Sequence, residues 1–132
     1  MIYRVNTPID GEALTQLYQQ VGWIKYTTAI LTQAYAQSLC FISAWENEVL
    51  LGVIRAVGDD TTILYIQDLL VSPTARRQGI ASALMETLLK RYAHVRQIVL
   101  LTDDQPDTKV FYESLQLKQA QSYQCIAYLR IQ

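Results

Sequence analysis

A chain of 132 residues, 51% apolar and 17% charged, is long enough to bury one core and too apolar to stay disordered. Its formal charge of −1 argues against a general nucleic-acid binder, which needs a basic excess. No apolar run reaches the length of a membrane span, and residues 1–20 hold Arg4, Asp10 and Glu12 in place of a secretory apolar core. The expectation is one cytoplasmic domain over residues 1–132. Two distant cysteines, Cys40 and Cys125, predict free buried thiols in a reducing compartment. His94 is the only histidine, which leaves no histidine-based metal site, and its place after a helix predicts a surface role.

Taken in chain order, Ile2–Val5 reads as a first strand. Asp10 to Val21 reads as a helix that Asp10 caps and Gly22 ends. Trp23 to Tyr26 follows, and Ala29 to Ala36 predicts a second short helix. Leu39 to Trp45 and Val49 to Val57 are apolar runs split by Glu46-Asn47-Glu48, a hairpin signal. Gly58-Asp59-Asp60 turns into a strand over Leu64–Val71, rich in leucine, β-branched and aromatic residues. From Ile80 the apolar residues Ala83, Leu84, Leu88 and Tyr92 recur at helical spacing. Residues 97–102 form another apolar strand. A turn at Asp103–Asp107 leads to a helix carrying Val110, Phe111 and Leu115, with Phe111 expected in the core. Gln124 to Ile131 predicts a closing strand.

The crossover from residues 64–71 to residues 97–102 implies that these two strands run parallel. Both are continuously apolar, as expected where helices cover both faces of a sheet. The fold class is α/β: a mixed, mostly antiparallel central sheet with helices on both faces.

The connector Ser72-Pro-Thr-Ala-Arg76-Arg77-Gln78-Gly79 joins a strand to a helix and carries two positive charges and a glycine. A helix start offers unpaired N–H groups and the positive end of the macrodipole, a ready anion site. Gly79 lets a ligand approach the backbone, and arginine's forked donors suit phosphate. The turn reads as a phosphate or pyrophosphate cradle, or else as a solvated basic turn. It lacks the GxxxxGK[ST] of a nucleotide-triphosphate loop and the three glycines of a dinucleotide fingerprint.

Arg76-Arg77-Gln78-Gly79-Ile80-Ala81 fits the pattern [RQ]-x-x-G-x-[GA]. It follows Leu69-Leu70-Val71-Ser72-Pro73, and Phe111-Tyr112-Glu113-Ser114-Leu115 stands at the right distance after it. These residues resemble the GNAT superfamily of acyl-CoA-dependent N-acetyltransferases, and the inferred strand order matches its fold along nearly the whole chain. Val21-Gly22-Trp23, Tyr26 and Gln67-Asp68 are similar to a bacterial subgroup of small acetyltransferases. The chain departs from the family at Leu115-Gln116-Leu117, where LGF is usual. It departs again at Tyr65, where some members carry a glutamate on the fourth strand.

The resemblance implies acetyl-CoA as co-substrate and no metal. Its pyrophosphate would rest on Arg76, Arg77, Gln78, Gly79, Ile80, Ala81 and Ser82, and its pantetheine arm on the backbone of Leu69, Leu70 and Val71. It further implies direct attack of an amine on the thioester, with Tyr112 protonating the leaving thiolate. Asp68 is the nearest carboxylate to act as base; a water held by Gln67 or the backbone, or the amine's own equilibrium, are the alternatives. Trp23 and Tyr26 would wall the acceptor, while Trp45 is expected in the core. The implied partner is a small-molecule or peptide amine, with neither nucleic acid nor membrane. A homodimer is left open. A non-catalytic acyl-CoA-binding domain is the competing function.

Overall fold

In a computed structural model describing residues 1–132, five strands form one sheet in the order β1-β2-β3-β4-β5. They are β1 (Ile2–Val5), β2 (Cys40–Glu46), β3 (Val49–Gly58), β4 (Ile63–Val71) and β5 (Gln97–Leu100). The first three pairings are antiparallel, and β4 pairs with β5 in parallel, as the crossover requires. Four helices accompany them: α1 (Gly11–Gln20), α2 (Thr28–Ala36), α3 (Ile80–Arg91) and α4 (Pro106–Ser114). The chain divides into two compact units, Met1–Leu101 and Thr102–Gln132.

In the first unit, helices cover both faces of the sheet. Leu14, Leu17 and Tyr18 of α1 and Leu31 and Tyr35 of α2 bury their helical stripes with Trp45, Leu50, Val53 and Leu70. Asp10 caps α1 by accepting from Ala13 N–H at 3.1 Å, and Thr27 caps α2 by accepting from Ile30 N–H at 3.2 Å. Next to Val53, Gly52 turns to the other face. A Cβ there would stand 3.1 Å from Ile80 Cγ2 and 3.0 Å from Leu70 O, so the glycine admits the start of α3 against the sheet. Ile80, Leu84, Met85 and Leu88 are the buried stripe of α3.

The register of β4 carries the feature that matters most for the site. Arg55 of β3 faces Asp68, but the next residue, Ala56, faces Ile66, so Gln67 is an extra residue: a β-bulge. β5 accompanies β4 only from Ile63 to Ile66. Beyond that point the β5-side edge of Gln67–Val71 has no strand beside it.

The second unit holds α4 and a 3-10 turn at Ala120–Tyr123, and no residue in it is buried. Two expectations change here. Residues 124–131 form no strand: apolar composition alone does not make one, since a strand needs a ladder of backbone bonds. Phe111 is half-buried rather than a core residue, its ring set edge-on to Tyr112 at 4.9 Å. Gln116 occupies the left-handed position after α4 with φ 67°, where the family pattern has glycine. Gln116 N–H donates to Glu113 O and Leu117 N–H to Tyr112 O, closing a Schellman motif.

Both cysteines are free. Cys40 is buried, and burial raises its thiol pKa; Cys125 is exposed, contrary to the expected burial, because it sits in this coreless segment. His94 lies on the surface and bonds Asp60 Oδ1 at 2.8 Å. Trp45 belongs to the core and donates its indole N–H to Ser43 Oγ at 2.8 Å.

Candidate active site

The connector after β4 makes a short 3-10 turn at Pro73–Ala75, which Ser72 caps, and then enters α3 through two left-handed residues. Arg77 has φ 65° and Gly79 φ 76°. Gly79 is the N-cap of α3 and supplies no side-chain hydrogen bond, and the first turn contains no acidic residue. Ala83 N–H is the first helical donor to find a partner, Gly79 O at 3.0 Å. The N–H groups of Ile80, Ala81 and Ser82 therefore have no partner within the helix. A Cβ built on Gly79 meets nothing within 4 Å, so the approach to these donors is open. Arg76, Arg77 and Gln78 are exposed around it. Bare donors, a helix dipole and two guanidinium groups at an open approach fit a phosphate or pyrophosphate.

Upstream, Leu69, Leu70 and Val71 pair with Ile54, Val53 and Gly52 on one side only. Their other edge, past the end of the β4–β5 ladder, is a row of backbone groups free to bond an extended ligand. The cradle and this edge lie consecutively in one stretch of chain.

Asp68 sits just after the bulge and is 2% exposed. Its Oδ2 accepts from Arg55 Nε at 2.8 Å and from the Tyr18 hydroxyl at 2.8 Å. Tyr18 and Tyr35 share a hydrogen bond of 2.8 Å. Because the Tyr18 proton is committed to Asp68, Tyr35 is the donor to Tyr18. Burial pushes the pKa of Tyr18 far above the usual tyrosine value, with Tyr35 and Asp68 adding to the rise. Burial likewise raises Tyr35. Both hydroxyls stay protonated. Burial opposes the Arg55 charge, but the Asp68 carboxylate outweighs it and the guanidinium pKa rises. Asp68 Oδ1 has no partner at all, the one buried side-chain polar atom of the chain so placed.

Trp23 and Tyr26 flank this cluster. Each ring stands edge-on to Tyr18 with centroids 5.8 Å apart, and the two lie 6.3 Å from each other. They are 39% and 36% exposed, so both rings reach the surface beside the buried Tyr18. Gly22, with φ 90°, ends α1 in a Schellman motif and aims the chain into this aromatic group: Gly22 N–H reaches Gln19 O, and Trp23 N–H reaches Tyr18 O. Gln67 is exposed at the bulge.

Tyr112 belongs to the second unit, on α4. Burial raises its hydroxyl pKa, and a hydrogen bond with Thr102 partly counters this. Within the first unit the structure thus unites Asp68, Trp23 and Tyr26, and separately unites the residues of the cradle.

Tyr18, Tyr35 and Arg55 escaped the sequence reading. Arg55 had a signal, since a carboxylate in an apolar strand needs a partner and the opposite strand holds one arginine. The tyrosines had none, being stripe residues of amphipathic helices like any other.

No curated protein matches the sequence. Among solved structures, a GNAT family acetyltransferase of Streptococcus pneumoniae TIGR4 is 31% identical, with a TM-score of 0.89 over 99% of this chain and 97% of its own. An aminoglycoside acetyltransferase from an uncultured soil metagenomic sample (18% identity, TM-score 0.70, 100% and 99% covered) shares the fold. So does the aminoglycoside N-acetyltransferase AAC(6')-Iy solved in complex with CoA (14%, 0.72, 99% and 99%). The sequence matches the acetyltransferase (GNAT) family over residues 8–116, which takes in the bulged strand, the glycine-capped helix and α4. By sequence and by fold, this chain belongs to the GNAT family of acetyltransferases.

Proposed function

We propose that the chain is an acetyl-CoA-dependent N-acetyltransferase whose acceptor is a primary amine of a small molecule or peptide. The observation that carries this reading is the uncapped start of α3, open at Gly79 and continuous with the free edge of Leu69–Val71. Acetyl-CoA supplies an activated acyl thioester. The N–H groups of Ile80, Ala81 and Ser82, with Arg76 and Arg77, hold its pyrophosphate. The backbone edge of Leu69–Val71 aligns its extended arm and offers an N–H to the carbonyl oxygen as negative charge develops there.

An alkyl ammonium must lose a proton before it attacks, since its pKa lies near about 10. Asp68 Oδ1 takes that proton, directly or through a water bound at the Gln67 bulge. Arg55 and Tyr18 occupy Oδ2 and so fix the orientation of the carboxylate. Trp23 and Tyr26 present ring faces to the acceptor, which suits a cation on an apolar stem. Tyr112, kept protonated at neutral pH, donates to the departing thiolate as the N–C bond forms and the S–C bond breaks.

A panel of primary amines with acetyl-CoA, read by free thiol release and by the acetylated product mass, tests the proposal. Amine-dependent release with an added acetyl group supports it. CoA binding without release from any amine would favour the non-catalytic acyl-CoA-binding alternative.

A further inference from the structure

An arginine beside a carboxylate commonly pairs through its fork, two N–H groups on two oxygens. Arg55 and Asp68 face each other across β3 and β4, yet one bond forms between them, from Arg55 Nε to Asp68 Oδ2 at 2.8 Å. The Tyr18 hydroxyl donates to the same oxygen. Asp68 Oδ1 is left without a partner in a residue only 2% exposed. A carboxylate torsion is soft and roughly two-fold, and an orphaned buried acceptor is unfavourable. Other groups therefore have to hold the pair away from its second bond.

Those groups lie on α2. Tyr35, on the buried stripe of this helix with Leu31, donates its hydroxyl to the Tyr18 oxygen at 2.8 Å. With that oxygen occupied, the Tyr18 proton points to Asp68 Oδ2, and each bond of the chain strengthens the next. The Tyr35 ring also lies under the Arg55 guanidinium, with Cζ 5.5 Å from the ring centroid. Just past the end of α2, Ser38 Oγ donates to Ala34 O at 2.8 Å and accepts from Arg55 Nη1 at 3.4 Å. The guanidinium is drawn toward α2, and its fork does not close on the carboxylate. Tyr35 itself is fixed edge-on against Phe41 at 5.1 Å and Tyr18 at 6.4 Å. The titratable and charged groups around Asp68 are thus Arg55 from β3, Tyr18 from α1 and Tyr35 from α2.

We propose that Tyr35 is a positioning residue for the proton acceptor. Acting through Tyr18 and Arg55, it confines both donors to Oδ2 and keeps Oδ1 open to the acceptor ammonium. The proton passes from the ammonium nitrogen to Oδ1, and the freed lone pair attacks the thioester carbon; Tyr35 keeps its own proton throughout. The placement of the donors rests on distances, and its effect on rate rests on the proposed function.

Tyr35→Phe keeps the ring under Arg55 and removes the hydroxyl, while Tyr35→Leu removes both. With an alkylamine that the wild type acetylates, kcat/KM near about pH 7 should fall roughly tenfold in the first and roughly a hundredfold in the second. As the pH approaches the amine's own pKa, about 10, the acceptor arrives unprotonated and the loss should shrink to about twofold. The CoA-induced rise in Tm should match wild type. A loss of equal size at every pH, or no loss, overturns the proposal, and Tyr35→Phe alone decides this if Tyr35→Leu does not fold. If the wild type acetylates no amine, the functional reading fails by itself, and melting temperatures decide whether Tyr35 acts on Asp68 through Tyr18. Tyr35→Phe should then lower Tm in the wild type and far less in Tyr18→Phe; equal lowering in both overturns the link.

Discussion

Helices α1 and α3 begin in opposite ways. Asp10 closes α1 with a side-chain bond to Ala13 N–H and Glu12 adds negative charge, so its own chain serves one of its free donors and answers its dipole. Gly79 opens α3 with no such bond and no acid, and the space before it is clear. A cap at that position would add about 1 kcal/mol of stability, and α3 does without it. The contrast separates a helix start that serves the fold from one that leaves its donors for an anion. α4 shows that a missing side-chain cap alone is not enough. Pro106 removes a donor from its first turn and Asp107 repels anions there.

The largest effect should come from filling the α3 start. Gly79→Glu puts a side chain and a negative charge where the pyrophosphate is proposed to bind. It should eliminate the stabilisation that CoA at about 100 times its Kd confers, roughly 2.7 kcal/mol. A melting curve with and without CoA reads this, and an unchanged shift in a folded variant would place the cradle elsewhere. Tyr112→Phe tests α4 as a carrier of chemistry. It should lower kcat at least about tenfold with little change in acetyl-CoA affinity or Tm. Burial raises the Tyr112 pKa, so the hydroxyl donates through neutral pH and loses its proton only above the ordinary tyrosine range. Any alkaline limb of the rate that vanishes in the phenylalanine variant belongs to this group.

At the far end of α1, Trp23→Ala and Tyr26→Ala should raise the acceptor KM by roughly tenfold, equivalent to about 1.4 kcal/mol. The CoA shift should stay at the wild-type value. Equal loss for both ligands would make these rings part of the core. Asp10→Ala should cost about 1 kcal/mol of stability, read by denaturant, with the CoA-induced shift intact. The smallest effect sits where the two Schellman ends differ, Gly22 after α1 and Gln116 after α4. Gln116→Gly removes a left-handed penalty and should raise stability by up to about 1 kcal/mol. A fall in Tm would show that the Gln116 side chain contributes there.

The sequence made some of these features legible and not others, for physical reasons. α3 was readable because Ile80, Leu84 and Leu88 repeat on one face, and its start because glycine and arginine stand together at a strand-to-helix turn. Asp10 and Gly22 marked α1 by local chemistry. The bulge at Gln67 was not readable, since it depends on how β3 and β4 register. The Tyr18–Tyr35–Asp68–Arg55 cluster joins residues up to 50 positions apart, so it appears only once the helices lie on the sheet. Gln124–Ile131 has the composition of a strand, yet composition does not supply the neighbour that a ladder needs.

The most direct test of the open α3 start compares CoA with pantetheine, which lacks the pyrophosphate, as ligands of the wild-type chain in a melting experiment. CoA at millimolar concentration should raise Tm clearly, and pantetheine at the same concentration should raise it far less. No shift with CoA, or an equal shift with pantetheine, would contradict an anion cradle at Gly79.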